Sequence, residues 1–302
     1  MAHKHKPALT AIWIGLICNI VLTLLKLVVG VLFNSPVLVA DGIHNGGDIV
    51  ATLAALVSSM VSKKPADDDH PYGHGKAEVV ASALVAVILA LAALWIGYHA
   101  LTALFEPPRS ESWLPLVAAV VSLILKQVLY VYTLRVGKTH KSKSALATAY
   151  DHLADVYASL AAVLGIGLAL LGDRFDIPWA AYGDPVAGLI VSLLVLKLAY
   201  EMGREAVDIL MEKGLNPEVI AGYERLIREL DGIRRIDRIR AREHGHYIIV
   251  DVRVGVPSHY TIQQGHAISR QIKKRIMEHD PHVEEVLVHL NPWEEDEEPK
   301  KR

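Results

Sequence analysis

Six long apolar runs restrict the folds open to this sequence more than any other feature. A run of about 18 or more apolar residues can cross a bilayer core of roughly 30 Å as a helix. The composition agrees, because 52% of the 302 residues are hydrophobic and only 21% are charged. The sequence therefore predicts an α-helical membrane protein with six transmembrane helices in a domain spanning residues 1–212. The runs cover about residues 8–33, 37–61, 78–104, 113–134, 145–171 and 184–210.

Charged residues in the short loops predict orientation and location. Loops that remain in the cytoplasm carry an excess of Lys and Arg. The N-terminus and the loops after the second and fourth runs hold nine such residues, whereas the other loops hold two, Arg109 and Arg174. We therefore expect a multi-pass protein of the cell (cytoplasmic, or inner) membrane with both termini in the cytoplasm. No signal peptide is expected, because no small-residue cleavage site follows the first run.

The chain beyond residue 212 has the pattern of a small soluble domain. Apolar residues recur there at helix and strand spacings rather than in long runs. The pattern predicts a cytoplasmic α-β-β-α-β domain over residues 213–292, followed by a charged, disordered tail at 293–302. The expected elements are a helix from Pro217, strands at 235–242 and 247–254, a helix from Thr261 and a strand at 283–290.

Ionisable side chains inside two of the runs are the main functional signal. Such groups cost roughly 2.5–3.5 kcal/mol each on insertion scales, so each is a candidate functional residue. His44 and Asp48 are four residues apart in the second run, as are Asp151 and Asp155 in the fifth. Residues at this spacing share one helix face, and two helices that each offer two ligands can enclose a metal ion. The alternative is that these groups only join helices through hydrogen bonds.

Other polar residues inside the runs have structural explanations. Asp184, at the start of the sixth run, is expected to be an N-terminal helix cap rather than a ligand. Lys26 and Lys126 are expected either to extend toward the membrane surface or to pair within the helix bundle. His152 is expected to face away from its neighbour Asp151.

The loop after the second run carries further candidate ligands. Asp67, His70 and His74 lie in the segment Pro-Ala-Asp-Asp-Asp-His-Pro-Tyr-Gly-His-Gly-Lys-Ala-Glu at 65–78. Their side chains have metal-ligand chemistry at spacings that a loop can bring together. The alternative is a polar turn rich in Pro and Gly, and spacing alone leaves both interpretations open.

With this loop and the paired ligands of two helices, the sequence resembles the cation diffusion facilitator family, particularly its bacterial divalent-metal efflux branch. The resemblance extends over nearly the whole chain. It implies a homodimer in the lipid bilayer that exports divalent transition-metal ions from the cytoplasm in exchange for protons. It also implies that the chain is not an enzyme and carries no prosthetic group. The composition fits a basic nucleic-acid binder poorly, so no nucleic-acid partner is expected.

The resemblance assigns roles by position. The membrane transport site falls on His44, Asp48, Asp151 and Asp155, and a cytoplasmic loop site falls on Asp67, His70 and His74. An interlock at the dimer interface falls on Lys76 and Glu212. A further metal site in the C-terminal domain falls on Asp237, Asp251, His266 and His289.

Two departures from the family pattern bear on the metal. Zinc members commonly have His where this chain has Asp151, and the manganese branch usually has Asn where this chain has His44. Oxygen ligands suit Mn²⁺ or Fe²⁺, whereas imidazole suits Zn²⁺, so Mn²⁺ is expected slightly ahead of Zn²⁺, with Fe²⁺ and Co²⁺ as further substrates. In the C-terminal domain, Asp237 and Asp251 replace histidines of zinc-binding relatives, which leaves metal binding there open.

Two alternative functions also remain open. A membrane metal sensor could signal through the C-terminal domain without transporting ions, and an intramembrane metalloenzyme could use similar ligands. Against the enzyme, the chain has no His-Glu-x-x-His motif, and a catalytic metal needs an open ligand position. Metal flux into sealed vesicles would separate a transporter from a sensor.

Overall fold

The computed structural model describes residues 6–106, 112–140 and 143–294. Within these ranges six long helices precede a smaller α/β region, so the predicted fold class is confirmed. The tail predicted at 293–302 lies outside the described residues from 295 onward. The long helices are α1 (Lys6–Leu32), α2 (Pro36–Ser62), α3 (Ala77–Ala103), α4 (Trp113–His140), α5 (Lys143–Phe175) and α6 (Gly183–Leu210).

The chain divides into two compact units. The first comprises residues up to Ala54 together with Leu84–Gly203, and the second comprises Ala55–Ala83 together with the chain from Arg204 onward. Helices α2, α3 and α6 therefore contribute residues to both units. The core of the first unit consists of buried aliphatic side chains, including Leu38, Leu89, Ile96, Ile166 and Val191.

Helix α2 is more polar than α1 and α3, the helices before and after it in the chain. Among the residues that the structure describes, α1 and α3 to α6 are long and apolar enough to cross a membrane by length and composition. Helix α2 has 27 residues, as α1 and α3 have, but its first half contains Asp41, His44, Asn45 and Asp48. The neighbouring helices must therefore supply partners for these groups.

The N-terminus of α2 is held by the first turn of α6. The Asp184 carboxylate accepts a hydrogen bond from the backbone N–H of Val37 at 2.8 Å and another from the Ser35 hydroxyl. All three residues are fully buried, so these bonds satisfy polar groups that water cannot reach. Asp184 thus caps the N-terminus of α2, so the expected capping role is confirmed, with the capped helix being α2.

Glycines let α1 and α3 approach α2 closely. A Cβ atom at Gly42 would lie 2.9 Å from Leu27 Cδ2 of α1, and one at Gly47 would lie 2.3 Å from Leu89 Cδ2 of α3. Real Cβ atoms essentially never approach other atoms more closely than 3.0 Å. A side chain at either position would therefore force Leu27 or Leu89 to move from its place beside α2.

The C-terminal region has the predicted order α-β-β-α-β. Strand β1 pairs antiparallel with β2, and β2 pairs parallel with β3. Asn216 and Pro217 begin α7, and a capping box formed by Thr261 and Gln264 begins α8. The elements are α7 (Pro217–Arg228), β1 (Arg235–His244), β2 (Tyr247–Pro257), α8 (Ile262–His279) and β3 (Val283–Trp293).

The two faces of this sheet differ in chemistry. One face packs against α7 and α8 through fully buried side chains that include Tyr223, Ile227 and Ile272, and each such side chain stabilises the fold by about 1.5–3 kcal/mol. On the other face, Arg238 lies opposite Arg253, and Arg253 lies opposite His289. A basic row therefore crosses all three strands.

Candidate metal sites

Helices α2 and α5 bring three of the four predicted membrane ligands together. Ligand atoms of His44, Asp48 and Asp155 all lie within 4.8 Å of one another. His44 Nε2 is 3.7 Å from Asp155 Oδ1. Asp155 is buried, with 2% of its surface exposed, and the other two residues are half-buried. One imidazole and two carboxylates at these distances can coordinate a divalent cation.

The fourth predicted ligand, Asp151, lies outside this group. Asp151 is exposed, although its carboxylate interacts electrostatically with those of Asp48 and Asp155. The next residue, His152, is buried instead, and its Nδ1 is 3.8 Å from Asp155 Oδ2. A Cβ atom at Gly15 of α1 would lie 2.9 Å from His152 Nε2, so the missing side chain at Gly15 makes room for the imidazole.

A buried lysine contacts the ligand group, and the sequence did not assign it to the site. Lys126 of α4 is fully buried; its ammonium pairs with Asp155 Oδ2 and donates a hydrogen bond to Asn19 Oδ1 at 2.6 Å. The sequence predicted only that Lys126 would extend to the surface or pair within the bundle. A lysine at the centre of an apolar run was the available signal, since such a residue requires a partner.

A second buried ion pair lies beside the first. Lys26 Nζ is 2.7 Å from Asp41 Oδ2, with both side chains fully buried. The Asn45 amide has one orientation in which both its oxygen and its nitrogen have hydrogen-bond partners. In that orientation the oxygen accepts a hydrogen bond from Lys26 at 3.1 Å, and the nitrogen donates one to Asp155 Oδ1 at 3.0 Å. Asn45 therefore connects the two pairs into one polar network in the first unit.

The loop residues form a second ligand group, in the second unit. Ligand atoms of Asp67, His70 and His74 all lie within 4.8 Å of one another. Asp67 Oδ1 is 3.4 Å from His70 Nδ1, and Asp67 Oδ2 is 3.4 Å from His74 Nε2. A hydrogen bond from the His70 backbone N–H lowers the pKa of Asp67, and the neighbouring imidazoles act in the same direction. The carboxylate therefore stays ionised, as metal coordination requires.

The loop packs against the β1–β2 hairpin within the same unit. The Tyr247 hydroxyl donates a hydrogen bond to the backbone carbonyl of Tyr72. A Cβ atom at Gly75 would lie 2.2 Å from the His244 carbonyl oxygen, and Gly245 makes the turn with a φ of +75°. Burial lowers the pKa of His244, and the charge of Lys76 adds to this effect. A neutral imidazole is therefore favoured at the contact.

The predicted interlock residues form an ion pair within one chain. Lys76 Nζ is 3.4 Å from Glu212 Oε1. Arg242 of β1 lies 3.6 Å from the other carboxylate oxygen of Glu212 and also binds Asp251 at 2.6 Å. This chain of charges connects the loop, the end of α6 and the sheet.

The four C-terminal candidates do not come together as metal ligands. Within the described ranges, three or more candidate ligand residues come together in two places, which are the two groups described above. Neither group contains a C-terminal candidate. Asp237 binds Arg235 and Asn291, while His289 contacts Asn291 at 3.0 Å. His266 is exposed on α8, and Asp251 pairs with Arg242. The guanidinium groups of Arg235 and Arg242 thus neutralise Asp237 and Asp251, the two carboxylates predicted as ligands.

Comparison with known families decides what kind of protein this is. Residues 12–211 match the cation efflux transmembrane domain, and residues 215–293 match the cytoplasmic domain of cation efflux proteins. The chain belongs to the cation diffusion facilitator family. It is a metal cation efflux transporter in a membrane, and it is not an enzyme.

Three relatives match this cation diffusion facilitator along most of their length. It is 43% identical to the manganese efflux system protein MneP of Bacillus subtilis (strain 168), over 94% of this chain and 95% of that protein. It is 32% identical to the manganese efflux system protein MneS of the same organism, over 93% and 94%. It is 30% identical to the magnetosome protein MamB of Magnetospira sp. (strain QH-2), again over 93% and 94%.

Proposed function

We propose that this chain exports Mn²⁺ from the cytoplasm through the site formed by His44, Asp48 and Asp155, in exchange for protons. The observation that carries the proposal is the convergence of these three ligands inside the helices of a cation efflux transporter. Mn²⁺ favours carboxylate oxygen ligands, which are the majority in this group. The similarity to two manganese efflux proteins supports the same metal.

Asp151 is the fourth ligand in this proposal. It lies one helical turn before Asp155, and its carboxylate already interacts electrostatically with that of Asp155. A small rotation of α5 or a side-chain rearrangement would bring it to an ion held by the other three residues. Zn²⁺, Fe²⁺ and Co²⁺ are competing substrates in this proposal, because the site combines an imidazole, which suits Zn²⁺, with carboxylates.

Proton exchange follows from the chemistry of the ligands. Imidazole and carboxylate groups bind a metal ion only when they are deprotonated, so metal binding releases protons. In a transporter whose site opens alternately to each side, metal displaces protons on the cytoplasmic side. Protons displace the metal on the other side. A proton gradient then drives metal efflux without ATP.

The remaining parts of the proposal concern assembly and a second ion. Both termini lie in the cytoplasm, and the protein works as a homodimer of chains with a membrane domain (1–212), a cytoplasmic domain (213–292) and a short tail (293–302). Asp67, His70 and His74 bind a further metal ion on the cytoplasmic side. Their mutual distances of 4.8 Å or less support this assignment.

Metal flux into proteoliposomes tests the proposal. A metal-sensitive dye inside the vesicles reports uptake of Mn²⁺, Zn²⁺, Fe²⁺ and Co²⁺ with and without an imposed pH gradient. We expect gradient-dependent uptake, fastest for Mn²⁺, that Asp48→Asn and Asp155→Asn each abolish. Glu201→Gln is the matched control, since it removes a carboxylate from an exposed ion pair of α6 outside the ligand group.

Each alternative gives a different result in this assay. A sensor would bind Mn²⁺ in equilibrium dialysis but show no flux of any metal. A pH-independent flux would refute proton exchange while leaving the transport site intact. Flux that survives both Asn substitutions would refute the site itself.

A further inference from the structure

Lys126 forms the closest charged contact to the ligand group. Its side chain is fully buried, and its ammonium contacts Asp155 Oδ2 and Asn19 Oδ1. Asp155 Oδ1, on the other side of the same carboxylate, faces His44 Nε2 at 3.7 Å. One carboxylate therefore serves both the ligand group and an internal cation.

The charge of Lys126 acts on all three carboxylates of the proposed transport site. It interacts electrostatically with Asp48, Asp151 and Asp155. A divalent ion bound among these three carboxylates leaves one negative charge uncompensated, and the Lys126 ammonium supplies the balancing positive charge. A net charge inside a membrane protein is strongly unfavourable, so this neutrality matters for the bound state.

We propose that Lys126 is a built-in counter-cation of the transport site, which competes with the metal for Asp155 and makes the loaded site neutral. This inference rests on the transport site proposed above and adds a residue that sets the strength of metal binding. An efflux transporter must release its ion as well as bind it. A fixed positive charge beside the ligands limits the affinity and thereby permits release, as multi-ion channels achieve by repulsion between sites.

The other buried lysine offers a matched comparison. Lys26 is as fully buried as Lys126 and is also paired with a carboxylate, Asp41. Asp41 is not part of the ligand group. Removing either ammonium leaves one buried carboxylate without its partner, so the two substitutions impose similar structural stress. Lys26 interacts with Asp155 only through space and through Asn45, whereas Lys126 contacts this metal ligand directly, so the loss of Lys126 should have the larger effect on metal binding.

Mn²⁺ binding to the purified full-length chain tests this inference without measuring transport. The titration follows the free-ion Mn²⁺ signal in electron paramagnetic resonance, in a background with His70→Ala and His74→Ala so that the loop site does not contribute. We expect Lys126→Met to tighten Mn²⁺ binding by roughly tenfold or more. Lys126→Arg keeps the charge and should change the affinity less than about threefold, and so should Lys26→Met.

A second pair of variants keeps the test valid if Lys126→Met does not fold. Asp155→Asn removes a ligand and leaves Lys126 without its partner, so it should weaken binding. Asp155→Asn combined with Lys126→Met removes one charge of each sign, and it should bind Mn²⁺ roughly tenfold more tightly than Asp155→Asn alone. Equal affinities for these two proteins would overturn the inference, as would equal affinities of Lys126→Met and the unmodified chain.

The outcome also distinguishes this inference from the proposed function. If the background protein binds no Mn²⁺, the transport site itself is wrong. If it binds Mn²⁺ and Lys126→Met binds no more tightly, the site stands and the role given to Lys126 is refuted. A slower proteoliposome flux in Lys126→Met, together with tighter binding, is the expected combination, because the ion is then released more slowly.

Discussion

The close contact between the metal-binding loop and the β1–β2 hairpin gives a sharp prediction for Gly75→Ala. The new Cβ atom would lie 2.2 Å from the His244 carbonyl oxygen and 2.6 Å from Tyr247 Cε1. Ordinary van der Waals contact begins at 3.4 Å, so the loop and the hairpin must separate by about 1.2 Å at the first of these contacts. A shift of this size breaks the hydrogen bond from the Tyr247 hydroxyl to the Tyr72 carbonyl, which needs an oxygen–oxygen distance below about 3.0 Å.

The magnitude follows from the interactions that are lost. Overpacking of this kind costs typically about 1–3 kcal/mol, and a lost hydrogen bond adds about 0.5–1.5 kcal/mol. The loop and the hairpin can separate while the rest of the protein stays folded. If this local opening relieves about 1–3 kcal/mol of the cost, the open state becomes about 5- to 150-fold more populated. Because Asp67, His70 and His74 lie on the same loop, we also expect weaker metal binding at that site.

Hydrogen–deuterium exchange of the full-length protein measures this opening directly. The exchange of residues 65–76 and 244–247 should accelerate in Gly75→Ala, while that of α8 should not change. Gly222→Ala is the control, since a Cβ atom at this helical position meets nothing within 4 Å. If Gly75→Ala remains folded and exchanges like the unmodified chain in both segments, the reasoning from close backbone packing is refuted.

Three further predictions concern other contacts. Tyr223→Phe removes the hydrogen bond that the buried hydroxyl donates to Asp280 at 2.7 Å, and thermal unfolding should show a loss of about 1.5–3 kcal/mol. Burial alone would raise the pKa of Asp280, but the hydrogen bonds from Tyr223 and the His282 backbone lower it overall. The stabilisation by the Asp280 carboxylate is therefore present above its unfolded pKa of about 3.9 and is lost as the pH falls through its lower folded pKa. If the stability of Tyr223→Phe falls with acid in the same way as that of the unmodified chain, this reasoning is contradicted. His70→Ala with His74→Ala should remove one bound Mn²⁺ per chain in equilibrium dialysis, whereas His259→Ala, at an exposed His outside both groups, should remove none; equal binding by all three proteins would exclude the loop site. Asp184→Ala leaves the Val37 N–H and the Ser35 hydroxyl buried without their acceptor, so it should cost about 1–3 kcal/mol, and thermal unfolding no different from that of Glu201→Ala would refute the capping role.

The long helices could be predicted closely from the sequence. The second run was expected at 37–61, and the structure gives Pro36–Ser62, because turn residues interrupt the apolar pattern at both ends. The C-terminal element order was predictable for a similar reason, since helix and strand periodicities differ. Asp184 shows where such reasoning stops. Its position near a helix start predicted a cap, but only the packing of α6 beside α2 determines whose N–H groups it receives.

The ligand group was predicted in part for a related physical reason. Residues three and four positions before Asp155 both lie near its helix face, so spacing allowed either His152 or Asp151 to approach it. The absence of a side chain at Gly15 on α1 admits the imidazole of His152. Likewise, the sequence shows that Lys126 needs a partner but not that α5 supplies it. These are contacts between helices, which periodicity along one helix cannot specify.

The two buried ion pairs also bear on how the chain enters the bilayer during synthesis. Lys26 and Asp41 lie on the consecutive helices α1 and α2, and Lys126 and Asp155 lie on the consecutive helices α4 and α5. Each pair therefore belongs to one helical hairpin, which can leave the translocon with its opposite charges already joined. The polar helix α2 should consequently depend on α1 for integration, and glycosylation mapping should show poorer insertion of α2 in Lys26→Met than in Lys197→Met, whose lysine is exposed. Equal insertion in the two variants would mean that the pair forms only after the helices have entered the membrane.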